Sequence, residues 1–192
     1  MMFGRRDDSF IRGQVPMTKA EVRYISVGKL GLQQDSVVYD IGSGTGSVAL
    51  EIAGLSSDIK VYAIERKDEA LDLIQKNIDA SGVKNVQVIQ GEAPEALEGL
   101  PVPTHVFIGG SGGNLFSILQ TLYDGISGSL LRVVITAVSL ETLEEMKQVE
   151  SWFGVKDFEL VQIQTTRTKK VGSHRMMQGE NPIWICSFTF EK

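Results

Sequence analysis

The stretch VVYDIGSGTGSVALEIA, residues 37–53, joins an apolar run to glycines at alternate positions and then to a helical pattern. This order predicts a strand, a tight turn and a helix. Glycine permits a positive φ and leaves the backbone bare, so Gly42, Gly44 and Gly46 favour a flat, polar ligand lying against the turn. The pattern GxGxxG would place its third glycine at position 47, where this chain has Ser47. The spacing therefore argues against a nicotinamide dinucleotide.

Composition places the chain among globular proteins with one core. It has 192 residues, 42% of them hydrophobic and 22% charged, so we expect a single domain over residues 1–192. The formal net charge of −5 disfavours nonspecific binding to nucleic acid. We expect no membrane partner and a cytoplasmic location, because no membrane-spanning or signal-peptide pattern is visible. The single cysteine, Cys186, lies in an apolar run and is interpreted as a buried hydrophobic residue.

Apolar strand patterns alternate with helical patterns over most of the chain. This alternation predicts an α/β fold with mostly parallel strands and right-handed crossovers. An initial helix is expected over residues 18–32, where Thr18 and Glu21 have the spacing of a capping box. The expected strands are 36–41, 59–64, 86–90, 104–109 and 130–138, and the further helices are 46–54, 68–80, 113–123 and 139–151.

The alternation stops after residue 155. Two β-rich runs follow, DFELVQIQTTRT at 157–168 and NPIWICSFTFE at 181–191, and we expect them to form an antiparallel pair at the sheet edge. The polar segment RTKKVGSHRMMQGE, 167–180, is expected to be the most mobile loop.

Asp40 before the alternating glycines resembles the first motif of class I S-adenosylmethionine-dependent methyltransferases. The resemblance implies a Rossmann-like, doubly wound, mostly parallel seven-stranded sheet with an antiparallel C-terminal hairpin. It also implies S-adenosyl-L-methionine as methyl donor and S-adenosyl-L-homocysteine as product. Glu65 ends the second strand about 20 residues beyond the glycines, where an acid can accept hydrogen bonds from ribose hydroxyls. Glu92 and Ala93 follow the third strand and resemble the contact at the adenine edge.

Four segments resemble the decarboxylating precorrin methyltransferases of cobalamin biosynthesis more specifically. They are DDSFIRGQVPMTKAEVR (7–23), DIGSGTG (40–46), GEAPEAL (91–97) and FIGGSGGN (107–114). The resemblance implies methylation of carbon 15 of a cobalt-precorrin-6B-type tetrapyrrole and loss of carbon dioxide from its ring C acetate. The implied cofactor-binding residues are Thr18, Gly42, Ser43, Gly44, Thr45, Gly46, Glu65, Glu92 and Ala93. His105 departs from the family pattern, in which an aspartate opens the fourth strand.

The acceptor in that family is a flat macrocycle edged with carboxylates, which requires cationic contacts. Candidate substrate residues are Arg12, Asn114, His174 and Arg175. Cations cluster before the first helix (Arg5, Arg6, Arg12) and in the late polar segment (Arg167, Lys169, Lys170), although charge runs are usually solvated surfaces. The four glycines of 109–113 would leave an open floor beneath a large, flat acceptor.

Methyl transfer from a sulfonium needs orientation and desolvation rather than a covalent nucleophile. We assign no catalytic acid or base. No metal site is expected, because the chain has two histidines, one cysteine and no ligand cluster. His105 is interpreted as structural. The macrocycle itself can take up the electrons released by decarboxylation.

Two other functions agree with parts of the pattern. One is a methyltransferase of the same fold acting on transfer RNA or protein, which the acidic balance disfavours. The other is a non-catalytic nucleoside-binding module. Such a module would not need the complete set of Asp40, Glu65, Glu92 and the glycine turn, so the presence of the set disfavours it.

The resemblance further implies a homotetramer, with contacts expected at the antiparallel edge and the N-terminal segment. A chain without a fused carbon-5 methyltransferase domain resembles the enzymes of the route in which cobalt enters the ring early.

Overall fold

A seven-stranded sheet with helices on both faces organises the computed structural model, which describes residues 3–152 and 154–192. The strand order is β3-β2-β1-β4-β5-β9-β6, and a separate two-stranded hairpin pairs β7 with β8. The strands are β1 Val37–Ile41, β2 Lys60–Glu65, β3 Val86–Gln90, β4 His105–Ile108, β5 Leu130–Ala137, β6 Val155–Ile163, β7 Thr166–Val171, β8 His174–Gly179 and β9 Ile183–Glu191. The predicted fold, a doubly wound and mostly parallel sheet, is confirmed.

Five α-helices lie within the described residues. They are α1 Ala20–Leu30, α2 Ser47–Ala53, α3 Asp68–Ser81, α4 Leu115–Gly125 and α5 Leu140–Val149. Single 3-10 turns occur at Asp7–Ser9 and Glu95–Leu97. Within the described ranges, no helix combines the length and apolar character needed to cross a lipid bilayer.

Alternating side chains of the central strands build two cores. In β1, Val38 packs with apolar residues of α1 and α2, whereas Tyr39 and Ile41 pack with those of α4 and α5. Successive strand residues point to opposite faces, so a strand buried on both sides reads as an unbroken apolar run. The central strands could therefore be predicted from the sequence as apolar runs.

Strand order reverses between β1 and β4. β1 pairs in parallel with β2 on one side and with β4 on the other. Crossovers therefore leave β1 and β4 in opposite directions, and a crevice opens beyond their carboxyl ends. The turns that begin at Gly42 and Gly109 both lie at that crevice.

The C-terminal part agrees with the prediction in one respect and differs in another. β9 runs antiparallel to both β5 and β6, which confirms the antiparallel edge. The segment 167–180, however, belongs to the β7–β8 hairpin, so its interpretation as a loop was wrong. Its residues are polar or charged and largely exposed, and they lack the alternating apolar pattern that marks a half-buried strand.

The capping box at Thr18 is also wrong. Helix α1 begins at Ala20, its N-cap residue is Lys19, and no side chain caps it. Thr18 lines a cavity instead. The chain approaching α1 is extended at Lys19, with φ −66° and ψ 154°, which places Thr18 before the helix rather than at its cap.

Candidate functional site

The glycine loop after β1 has a backbone that side chains would disturb. Gly42, Gly44 and Gly46 have φ values of +71°, +61° and +76°. A Cβ on Gly42 would lie 2.5 Å from the carbonyl oxygen of Gly110, so the loops after β1 and β4 are in direct backbone contact. The amides of Gly42 and Ser43 both donate to the carbonyl of Ile64, at 3.0 and 3.1 Å. Glycine is therefore required here for close approach as well as for φ.

Asp40 holds this loop through hydrogen bonds from the protein interior. It is fully buried, and its Oδ2 accepts hydrogen bonds from the Ser43 hydroxyl (2.6 Å) and the Ala49 amide (3.0 Å). Its Oδ1 has no partner within the described structure. Desolvation by burial raises the pKa of Asp40 to about 6, against the lowering effect of these two donors. Asp40 does not line the cavity, so its role is to hold the loop.

Glu65 lies at the end of β2, as predicted from the sequence. The side chain is 8% exposed. Its Oε2 accepts from the Gly44 amide at 2.9 Å, and its Oε1 accepts from the amides of Arg66 and Lys67 at 2.9 and 3.0 Å. These donors fix the carboxylate at the rim of the glycine loop. Oε1 already accepts two hydrogen bonds, whereas Oε2 accepts only one, so the second lone pair of Oε2 can still accept a hydrogen bond from a ligand.

Glu92 and Ala93 follow β3 on the same side of the sheet. Ala93 is buried, and Glu92 forms an ion pair with Arg66 at 2.7 Å. Oε1 of Glu92 also accepts a hydrogen bond of 3.4 Å from the Asn114 side chain. The predicted acid and the predicted substrate residue are therefore neighbours. A Cβ on Gly112 would lie 2.8 Å from this same oxygen, which brings the loop after β4 against Glu92.

The N-terminal segment 13–19 forms one wall of the crevice. Val15, Pro16, Met17, Thr18 and Lys19 line it, and a Cβ on Gly44 would lie 3.1 Å from the carbonyl oxygen of Pro16. Among these residues, Thr18 alone was predicted from the sequence to contact the cofactor.

Two buried side chains that the sequence analysis missed hold this segment. Asn77 on α3 accepts from the Ile11 amide (2.7 Å) and donates to the carbonyls of Ile11 (3.0 Å) and Thr45 (2.9 Å). Arg23 donates to the carbonyl of Thr18 at 2.8 Å. A charged or amide side chain on the inner face of a helix is the sequence signal that could have found both.

Arg23 is itself part of a buried ion pair. Its guanidinium and the Glu51 carboxylate are both fully buried, with 3.0 Å between Nε and Oε2. Arg23 also pairs with Asp7 at 3.2 Å and lies over the ring of Phe10. Glu51 accepts hydrogen bonds from the amides of Gly4 and Arg5. The pair therefore joins the N-terminal segment to α1 and α2, and thereby supports one wall of the crevice.

The crevice is a cavity of about 400 Å³. Of the nine predicted cofactor residues, seven line it: Thr18, Gly42, Ser43, Gly44, Glu65, Glu92 and Ala93. Thr45 and Gly46 do not. Thr45 is buried beneath the loop, and Gly46 is the N-cap residue of α2. No histidine or cysteine of the described residues lines the cavity.

The predicted substrate residues are scattered. Arg12 is exposed on the N-terminal segment, and His174 and Arg175 are exposed near the tip of the hairpin, so none of the three lines the cavity. Arg167, in the same late cluster, forms ion pairs with Glu21 and Glu180. Its charge is therefore already matched within the chain.

His105 and Cys186 lie away from the cavity. His105 opens β4 at the amino ends of the parallel strands, opposite the cavity, and both burial and the charge of Arg132 lower its pKa. Burial raises the pKa of Cys186 to about 12. Both findings agree with the structural roles predicted for these residues. In the described part of the chain, no three His, Cys, Asp or Glu side chains are grouped to hold a metal ion.

Comparison with known proteins finds a matching family model and several similar sequences. A family model described as a precorrin methyltransferase domain matches residues 9–189. A protein of Pyrobaculum calidifontis, named probable cobalt-precorrin-6B C(15)-methyltransferase (decarboxylating), is 36% identical over 95% of this chain and 93% of its own length. The cobalt-precorrin-6B C(15)-methyltransferase (decarboxylating) of Salmonella typhimurium is 34% identical over 94% of this chain and 93% of its own.

Solved structures give the same result. The crystal structure of precorrin-6Y C5,15-methyltransferase from Geobacter metallireducens superimposes with a TM-score of 0.90 at 33% identity. The match covers 99% of this chain and 97% of the other. The similarity therefore extends over the sheet, the cavity and the N-terminal segment together.

Proposed function

The chain belongs to the precorrin methyltransferase family, and from this premise we propose that it is an S-adenosylmethionine-dependent C-methyltransferase. Its acceptor is carbon 15 of a cobalt-precorrin-6B-type corrinoid, and the ring C acetate is lost as carbon dioxide. The observation that carries the proposal is the cavity at the sheet's switch point, where Glu65 and the bare backbone of the glycine loop face one space.

The cavity fits the proposed cofactor in size and chemistry. Its volume of about 400 Å³ is within the range of small-molecule sites, roughly 300–1,000 Å³. Gly42, Ser43 and Gly44 offer backbone to a flat ligand, and Glu65 offers the second lone pair of Oε2 to a ligand hydroxyl. Glu92 and Ala93 lie where the adenine edge would be held. S-adenosylmethionine, when bound, supplies an electrophilic methyl group on a sulfonium.

Positioning and exclusion of water are the contributions of this chain's own residues. The N-terminal segment lines the cavity with the apolar side chains of Val15 and Met17, and Asn77 and Arg23 hold that segment in place. Three of the four lining residues in the loop after β4, Gly109, Gly110 and Gly112, have no side chain. Fixed orientation in a dry site is an effective source of rate enhancement for a bimolecular transfer.

Methyl transfer can be tested with three classes of acceptor. The purified protein is incubated with S-adenosylmethionine labelled in its methyl group and with a cobalt-precorrin-6B preparation, bulk transfer RNA or a protein extract. Label in the corrinoid alone supports the proposal. Label in transfer RNA or protein, with none in the corrinoid, would replace it with one of the alternative methyltransferase functions, and no label in any acceptor would favour a non-catalytic module.

We further propose that the protein forms a homotetramer in the cytoplasm. The hairpin carries exposed apolar side chains at Val171, Met176 and Met177, the last of them 81% exposed, and β6 is an edge strand. Exposed apolar groups and open strand edges favour association with further copies. The free cysteine Cys186 is buried, as suits a reducing compartment. Sedimentation equilibrium of the unmodified chain and of Met177→Lys tests the assembly, which the charge should weaken.

A further inference from the structure

A second cavity adjoins the first. It has a volume of about 460 Å³ and lies between the start of α1, the end of β6 and the base of the β7–β8 hairpin. Met17, Lys19, Val22 and Ile183 line both cavities. Three of these shared residues are apolar and one is a cation. A ligand that extends beyond the first cavity on this side would therefore pass an apolar wall with one positive charge.

Lys19 is the cation that the two cavities share. It is half-buried and directly follows Thr18. The ion pairs formed within the described part of the chain do not include Lys19. Arg66, which lines the first cavity, is by contrast paired with Glu92. Lys19 is therefore available to a negatively charged ligand at the junction.

One carboxylate of the protein, Glu180, lines the second cavity. Its oxygens are engaged by Arg167 at 2.7 Å and by the Thr165 hydroxyl at 3.0 Å. Desolvation raises its pKa, but these hydrogen bonds and the charges of Arg167 and Lys19 outweigh that effect and lower the pKa overall. The negative charge of Glu180 is thus matched mainly by Arg167, and the remaining polar lining comes from Gln178 and Asn181.

We propose that the second cavity is a subsite for a carboxylate-bearing edge of the acceptor and that Lys19 is the residue that binds this carboxylate. The proposal rests on the proposed function, since it assumes that the acceptor is a polycarboxylate macrocycle. The apolar residues Met17, Val22 and Ile183 suit the face of a conjugated ring. The ammonium of Lys19 suits an acetate or propionate arm at the ring's edge.

The carboxylate at Lys19 is one that the acceptor keeps. An ammonium beside the acetate that is lost would stabilise that carboxylate and oppose the loss of carbon dioxide. Binding of a neighbouring arm instead fixes the orientation of the ring and leaves the departing acetate away from the charge. Lys19 is therefore a specificity-determining residue.

Lys19→Gln tests the subsite, with cobyrinic acid as a stable corrin polycarboxylate. Binding is measured by absorbance titration in the presence of S-adenosylhomocysteine. The dissociation constant should rise about tenfold in Lys19→Gln, because a charge-assisted hydrogen bond is lost, and Lys19→Arg should restore most of the affinity. Cobyrinic acid heptamethyl ester, which lacks the charges, should bind the unmodified protein and Lys19→Gln equally.

Lys84→Gln is the matched control, because Lys84 is exposed at the opposite edge of the sheet and lines neither cavity. It should leave both titrations unchanged. Equal affinity of the unmodified protein and Lys19→Gln for cobyrinic acid would overturn the proposal, as would an equal loss of affinity for the ester. The proposed function is tested separately, by measuring turnover of cobalt-precorrin-6B. Absent turnover with a charge-dependent loss at Lys19 would refute the function and leave the carboxylate subsite standing.

Discussion

Asn77 donates a hydrogen bond of 2.9 Å to the carbonyl oxygen of Thr45, and the same side chain pairs with both backbone groups of Ile11. One amide that is only 3% exposed thus connects the glycine loop to the N-terminal segment that lines the cavity. A single residue, which belongs to neither element, therefore positions both the loop and the segment.

Asn77→Asp should weaken cofactor binding. The carboxylate loses both donated hydrogen bonds and places a charge against two carbonyl oxygens, so the segment should detach from the loop. We expect the dissociation constant for S-adenosylhomocysteine to rise about tenfold in calorimetric titration.

Asn85→Asp is the control for this effect. Asn85 also donates to three carbonyls, those of Ala53, Ser56 and Ile59, but it lies at the far edge of the sheet. Asn85→Asp should lower the free energy of unfolding and leave the dissociation constant unchanged. Similar losses of affinity in both variants would show that Asn77 affects the fold in general rather than the cavity.

Glu65→Gln should weaken cofactor binding, because it removes the charge and replaces one acceptor oxygen by an NH2 group that faces a backbone amide donor. A glutamine can retain one acceptor oxygen, but the charge-assisted hydrogen bonds to ligand hydroxyls are lost. An increase of about tenfold in the dissociation constant for S-adenosylhomocysteine is expected, with a larger increase for Glu65→Ala. Glu98→Gln, on an exposed residue outside the cavity, should behave as the unmodified protein does. Unchanged affinity in both Glu65 variants would mean that the hydroxyls are held elsewhere.

Gly42→Ala and Gly82→Ala separate backbone strain from steric overlap. Both glycines have a φ of +71°, but a Cβ at Gly82 meets nothing within 4 Å, whereas one at Gly42 lies 2.5 Å from a backbone oxygen. Gly82→Ala should cost about 1–2 kcal/mol of unfolding free energy in denaturant titration. Gly42→Ala should cost clearly more and should also reduce cofactor affinity. Equal costs would show that the two loops are not held in contact in solution.

Asp40 should make stability fall as pH rises through the acid range. Its pKa is raised from an ordinary value near 3.8 to about 6, so the folded state binds the proton more tightly than the unfolded state does. Its contribution is therefore most favourable below pH 3.8 and is lost between that value and about 6. The difference amounts to about 3 kcal/mol.

Asp40→Asn removes this titration, and both proteins are unfolded in denaturant at pH 4 and pH 7. The unfolding free energy of the unmodified protein, relative to Asp40→Asn, should be lower at pH 7 than at pH 4. A relative stability that is constant or that rises over this interval would contradict the burial of an ionisable Asp40.

The features predictable from sequence are those encoded by neighbouring residues. Gly42 and Glu65 could be assigned because a turn and a strand end are local patterns, and the order of elements then fixed their side of the sheet. Asn77 pairs with Ile11 and Arg23 pairs with Glu51, which are 66 and 28 positions away along the chain, so no local pattern marks these partners. The hairpin of β7 and β8 was missed because its strands bury almost nothing. Lys19 was hidden in the same way, because its place between two cavities depends on the packing of the hairpin base against α1.

The most direct test of the central claim is the mass of the corrinoid after incubation of cobalt-precorrin-6B and S-adenosylmethionine with the purified chain. We predict a product that is heavier by one methyl group and lighter by one carbon dioxide, with one S-adenosylhomocysteine formed for each product. An unchanged corrinoid mass, under conditions in which the protein binds S-adenosylhomocysteine, would contradict the assignment of this acceptor.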